Sequence, residues 1–497
     1  MASRPRILHL APLTPALSPS DGARVPAGQV RGSCRSVTAT SDELRTPRRS
    51  CPFSRQIPAL AWALVLAVSA LSLARAQDPG APRNPLDSIS ESYVKLVLNV
   101  GLYDPDLVDA YFGPTEWKPA PLSDDQRKSF PKERFQHEAA GLLRQLDAVD
   151  GARFSPLERQ RHSFLRSQLE AIKARIYLLS GVRMTFDEES RALYGVVAPP
   201  CSQESLDAVL KDLGRLLPGE GDLTQRFNEY NKQFIVPPER VAPVFQAAIT
   251  EARRRTLLRI ALPADERFVS ENVTGRSWSA YNWYQGNHFS VIQVNTDLPV
   301  YLGDLIVLAA HEGYPGHHVQ NVLMESRLRH GQNWIEFCIS PLFSPINLLA
   351  EGAADHGVEV AFPDRERLAF ERQVLFPLAG LDPAKAKQYF RVRQLTKRLR
   401  YASIEMARRY LDGKISKEEA LAWSMKYELK TPEKATRSVR FVEQYRSYLV
   451  NYAVGEDLVK RYVKKRSGWT GKAKTGWRLL EELFTTPHTP ADLQSNR

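Results

Sequence analysis

Beyond about residue 85, apolar residues recur at every third or fourth position along most of the chain. This is the spacing of helices that each bury one face. One run carries Leu165, Leu169, Ile172, Ile176 and Leu179. Ser155-Pro156-Leu157-Glu158 opens it as a capping box with proline at the first helical position, and Gly181 closes it. A second run, Leu206, Val209, Leu210, Leu213 and Leu217, is stopped by Pro218, and residues 239–258 form a third with a basic exposed end. Ser416-Lys417-Glu418-Glu419 caps a later helix. Thr431-Pro432 starts the next, whose Phe441, Tyr445, Tyr448 and Tyr452 fall on one face. Clear alternation occurs in Phe289-Ser290-Val291-Ile292-Gln293-Val294-Asn295, just after Tyr281, Trp283 and Tyr284. The pattern predicts a mainly α fold with a small β element. It divides into a helical half over 77–265, a second half over 266–465 and a tail over 466–497 with a short helix.

Two buried helices carry the candidate chemistry. In the first, Leu302, Leu305, Ile306, Ala309 and Ala310 repeat at helical spacing and lead into His311-Glu312-Gly313-Tyr314-Pro315-Gly316-His317-His318. The second follows Pro345 and brings Glu351, with Asp355 one turn later on the same face. Ionisable groups inside apolar helices are costly unless they pair or bind metal. Imidazoles and a carboxylate hold zinc, a fourth position stays open to water, and a Glu that is not a ligand takes that water's proton. In the usual H-E-x-x-H, the two histidines sit about 6 Å apart along one helix face. Here an unbroken helix would turn His317 about 120° away from His311, or place His318 about 10.5 Å along the axis. Pro315 lacks an N–H and Gly316 tolerates unusual backbone angles, so the pair reads as a bulge that returns His317 to the ion.

The expected set is therefore Zn2+ held by His311, His317 and Glu351, with Glu312 as general base. Asp355 would accept the second N–H of His311 and fix its tautomer. His318 reads as a supporting or substrate-contacting residue, or equally as one with no part in the site. Val291, Gln293 and Asn295 read as a strand edge to which a peptide substrate adds, with an ordinary packed strand as the alternative. His356 and Cys338 stand close to these segments, Cys338 as a ligand or a buried thiol. The cluster Arg391, Arg393, Lys397, Arg398 and Arg400 reads as a solvated helix face, or as one carboxylate-binding arginine among surface cations.

The run H-E-G-Y-P-G-H-H-V-Q, with Glu351-Gly352-Ala353-Ala354 downstream, resembles the signature of the bacterial DUF885 proteins. The likeness extends to Ser92-Tyr93-Val94, Asp104-Pro105-Asp106, Ala110–Pro114 and Tyr448–Gly455, and so over most of residues 85–465. It implies a large helical, zincin-like fold with a deep cleft, a metallopeptidase activity, and His317 rather than His318 as the ligand. By resemblance and position, Tyr452 and then Tyr448 would offer a phenol to the oxyanion. Many members carry an Asp-x-Gly-x-His segment, which the region Arg398–Ser403 lacks, so substrate preference does not transfer from them.

The 497 residues include 68 Lys and Arg against 56 Asp and Glu, a formal charge of +12. Arg48, Arg49 and Arg55, an apolar run from Ala59 to Leu73, and Ala74-Arg75-Ala76 make residues 56–76 a secretory signal behind an unpatterned extension, 1–55. Taking away residues 1–76 leaves 58 basic against 53 acidic residues, or +5, which removes the case for a nucleic-acid partner. It also leaves only Cys201 and Cys338, so no disulfide scaffold is expected. The combined expectation is a periplasmic or secreted zinc metallopeptidase acting on peptides, with no membrane insertion after signal cleavage. The alternatives are a non-catalytic helical binding protein with a vestigial site, or a zinc hydrolase of a non-peptide amide or ester.

Overall fold

The computed structural model describes residues 84–274, 280–295, 299–467 and 473–495. The extension 1–55 and the signal 56–76 lie outside them. The fold is mainly α with two small sheets. Local chemistry sets many helix ends: Ser155, Ser416 and Thr431 each accept a backbone N–H three residues on, at the predicted starts. One hydrophobic core runs from Leu86 to Leu493, so the segments 77–265 and 266–465 share it. Among the described residues, no helix is long and apolar enough to cross a membrane.

Eight helices matter for the site: α1 (Pro238–Leu257), α2 (Leu302–Leu308), α3 (His317–Met324), α4 (Pro345–Ala361), α5 (Ala386–Lys397), α6 (Pro432–Tyr445), α7 (Val450–Arg466) and α8 (Ala473–Thr485). α4 and α7 cross at Gly352 and Gly455. A Cβ on Gly352 would meet the Gly455 carbonyl carbon at 2.3 Å, and one on Gly455 would meet the Leu348 oxygen at 2.6 Å. Only two glycines allow the axes to come this close. The tail is not a loose end, because Trp477, Leu479, Leu480 and Phe484 of α8 are buried and the helix packs on α3 and α4.

β1 (Val108–Tyr111) pairs antiparallel with β5 (Ile339–Pro341). The other sheet contains β2 (Arg267–Val273), β3 (Ala280–Tyr284) and β4 (Phe289–Asn295) in the order β2-β4-β3. β4 has the predicted bounds, but it is the central strand: parallel to β2 on one side and antiparallel to β3 on the other. Its backbone is therefore used twice. Val291, Gln293 and Asn295 do not form an edge for an added strand, which corrects the sequence expectation; β2 and β3 form the rims.

The aromatic stripe is also divided. The helix that starts at Pro432 stops at Tyr445. Arg446 adopts φ +53°, and after one 3-10 turn α7 begins at Val450. Glu189 stabilises the break by accepting bonds from Arg446 Nε at 2.5 Å and from the Ser447 backbone at 3.1 Å. The rings nevertheless stay in sequence, with Tyr445–Tyr448 centroids at 5.9 Å and Tyr448–Tyr452 at 5.5 Å.

Candidate metal centre

α2 ends in a π-helical turn, Ala309–Gly313, that carries His311 and Glu312. The chain then leaves helical geometry at Tyr314 and re-enters it at His317. Gly316 N donates to Ala310 O at 2.9 Å, and its own carbonyl accepts from Gln320 N at 3.0 Å. A Cβ at Gly316 would lie 1.8 Å from the His311 oxygen, so only glycine fits. Pro315-Gly316 thus marks a break between two helices rather than a bulge within one. His317 opens α3, and its ring sits edge-on to that of His311, with centroids 4.7 Å apart.

α4 supplies the carboxylate. His311 Nε2 and His317 Nε2 lie 3.3 and 3.7 Å from Glu351 Oε2, and the three donor atoms all fall within 4.8 Å of one another. Donors bound at about 2.1 Å around a tetrahedral ion stand about 3.4 Å apart, so the cluster has the right size. Among the described residues, His311 Nε2 and Glu351 Oε2 are buried with no aligned hydrogen-bond partner, as are both carboxylate oxygens of Glu312. Four bare polar atoms converging in a buried pocket would be costly in a finished core. Two imidazoles and a carboxylate are also the donor types that zinc takes. The residues fit a metal ion.

Asp355 Oδ1 lies 2.9 Å from His311 Nδ1, leaving Nε2 toward the cluster. Burial would push the His311 ring down, but Asp355 and Glu351 outweigh it and raise it. Burial would likewise raise Glu351, but the two imidazoles bring it to about 2. For Glu312 burial wins and its carboxyl rises, although His311 and His317 pull it down. A raised carboxyl beside a cation site is a better proton acceptor than an exposed Glu.

The cluster lies between two cavities. His311, Asp355 and Tyr452 face one of about 370 Å³; His317, Glu351, Tyr448 and Asn282 face another of about 70 Å³; Glu312 lines both. The Tyr448 hydroxyl donates to Glu351 Oε1 at 3.2 Å and accepts from Asn347 Nδ2 at 3.0 Å. Burial lifts both the Tyr448 and Tyr452 phenols well above their ordinary value, so each stays a donor.

Other expectations change. His318 is turned away from the cluster: Nδ1 meets Ser290 Oγ at 2.8 Å and Nε2 meets Glu266 Oε2 at 2.9 Å. Glu266 also binds Tyr314 and Arg253, so His318 belongs to a buried network that supports the helix break. Cys201 and Cys338 are free thiols, and Cys338 is not in the donor cluster. Among the described residues neither His356 nitrogen has a hydrogen-bond partner, and burial pushes the ring down to about 4. The basic segment is not simply a solvated face. Arg393 binds Asp304 at 2.6 Å, Arg400 binds Glu456 and Asp457, and both line the larger cavity. Asn282 and Asn347 were not anticipated. Asn347 precedes Glu351 by four residues on one helix face, a signal present in the sequence. Asn282, which donates to the Glu312 carbonyl at 2.5 Å, comes from a separate strand and left no local sign.

No family model matches the chain, and neither does a curated protein. Among solved structures it is similar to a provisionally named lipoprotein from Colwellia psychrerythraea, at 14% identity and TM-score 0.47. That match covers 72% of this chain and 65% of the other, so the chain spans less than two thirds of it. It is also similar to a lipoprotein of unknown function from Shewanella oneidensis (14% identity, TM-score 0.39, covering 86% and 93%). A third is an M32 carboxypeptidase from Deinococcus radiodurans R1 (15% identity, TM-score 0.38, covering 82% and 93%). Likenesses at this level carry no functional argument, and the DUF885 resemblance rests on its motif residues.

Proposed function

We propose that the chain is a zinc-dependent hydrolase of peptide bonds, working outside the cytoplasm as the segment 56–76 suggests. The observation that carries this reading is Glu312. Its carboxylate is buried and bare, adjoins three converging donors and lines both cavities. A merely structural or vestigial site needs no such group.

In this reading His311, His317 and Glu351 hold the zinc, which when bound polarises a carbonyl and lowers the pKa of water to about 7. Glu312 accepts a proton from the attacking water as its oxygen bonds to the peptide carbonyl carbon. It returns that proton to the amide nitrogen as the C–N bond breaks. Asp355 holds the His311 tautomer. The Tyr452 phenol, on the side of the larger cavity, donates to the carbonyl oxygen as charge develops there. Tyr448 orients Glu351 through its 3.2 Å bond. Buried surroundings exclude competing water and strengthen each of these contacts.

The test is a mixed peptide library incubated with the purified protein, with and without a zinc chelator, beside elemental analysis. About one zinc per chain and chelator-sensitive cleavage are expected. No bound metal after zinc addition, or no cleaved peptide in the metal-loaded protein, overturns the reading.

A further inference from the structure

Lys434 is 5% exposed and lines the 370 Å³ cavity that also reaches His311 and Glu312. Its neighbours in that wall are neutralised: Arg393 by Asp304 at 2.6 Å, Lys397 by Glu456 at 2.6 Å, and Lys430 by Glu428 at 2.6 Å. Among the described residues Lys434 has no ion pair; its ammonium stands 5.6 Å from the Tyr301 ring centroid. It also sits in the first turn of α6, where the helix dipole disfavours a cation. Burial pushes it down to about 8, with Asp304 opposing and Arg437 and Lys430 adding to the fall, so it stays charged at neutral pH. A buried cation with no ion pair, in the wall of a cavity that reaches His311 and Glu312, is a site where an anion gains a partner.

We propose that Lys434 anchors a carboxylate of the peptide substrate. This rests on the peptidase reading of the same site. One unpaired positive charge matches a monoanion better than a phosphate dianion, because carboxylates share the cavity wall. The carboxylate belongs either to the peptide's C-terminus or to an acidic side chain.

The experiment uses the zinc-loaded full chain and three kinds of acetylated hexaalanine peptide: the free acid, the C-terminal amide, and a series of amides with one Glu moved along the sequence. The free acid, or one Glu-amide, should show a KM about 10–100-fold below the plain amide, with kcat changing less. Whichever peptide gains identifies the source of the carboxylate. Lys434→Gln should erase the difference, Lys434→Arg should retain most of it, and neither should melt far below the parent, since no pair in the fold is lost. The same peptides titrated calorimetrically into the zinc-loaded Glu312→Gln variant should rank the same way without turnover. If no peptide is cleaved, the peptidase reading fails, and this titration still decides the anchor. Equal binding of all the peptides, or a preference that survives in Lys434→Gln, overturns it.

Discussion

Gly352→Ala tests whether the α4–α7 crossing holds the site together. The added methyl would sit 2.3, 2.4 and 2.8 Å from the carbonyl carbon, oxygen and Cα of Gly455. All three are backbone atoms, so no side chain can rotate away and the helices must part by about 1 Å to restore ordinary contact. Overpacking costs about 1–3 kcal/mol where side chains can adjust, so about 3 kcal/mol is expected here. At about 2.1 cal/mol/K per residue over about 400 residues, that lowers the melting temperature by about 3–4 °C. Glu351 adjoins the crossing and Asp355 lies one turn on, so the same shift should weaken zinc binding about 10–100-fold. Thermal melts of the metal-free protein and zinc titrations against a competing chelator read the two effects separately. Gly476→Ala is the control, because its methyl would meet nothing nearer than 3.8 Å. A Gly352→Ala protein that melts and binds zinc like the parent would refute the view that this contact sets the centre.

Glu312→Gln should keep fold and zinc while hydrolysis falls about 10²–10⁴-fold, since the amide cannot accept the proton; parental turnover with metal bound rules out Glu312 as base. Asp355→Ala should weaken zinc binding about 10–100-fold by releasing His311 Nδ1, as titration would show. His317→Ala should lose the metal. His318→Ala should keep it and lose about 2–3 kcal/mol of stability, because Glu266 loses a buried partner; elemental analysis and denaturant melts distinguish the two. The last prediction concerns acid. Burial would raise Glu456, but Lys397, Lys460 and Arg400 outweigh it and bring it to about 2. A carboxyl lowered by folding stabilises above its unfolded value of about 4.3, and that contribution fades as pH falls toward 2. Glu456→Gln should therefore lose less stability than the parent between pH 5 and 3, and an unchanged pH dependence in melts would count against this network.

What the sequence determined by itself is short-range. Ser155, Ser416 and Thr431 mark helix starts because each bonds a backbone N–H three residues away. β4 is legible because alternation has a period of two. His311 beside Glu312, and Glu351 one turn before Asp355, announce their chemistry because neighbours in a helical turn are neighbours in space. The remainder depended on partners distant in the chain. β2 and β3 on both sides of β4 turn a candidate edge into a centre. Glu266, 52 positions before His318, draws that ring away from the metal cluster. Glu189, more than 250 positions before Arg446, stabilises the break that divides the tyrosine stripe. The Gly352–Gly455 crossing brings the helix bearing Glu351 against the one bearing Tyr452. No local period encodes such pairings, because burial and hydrogen bonding are satisfied by whichever groups packing brings within about 3 Å. The candidate ligands could be read from the sequence, whereas their convergence on one point is a property of the packed helices.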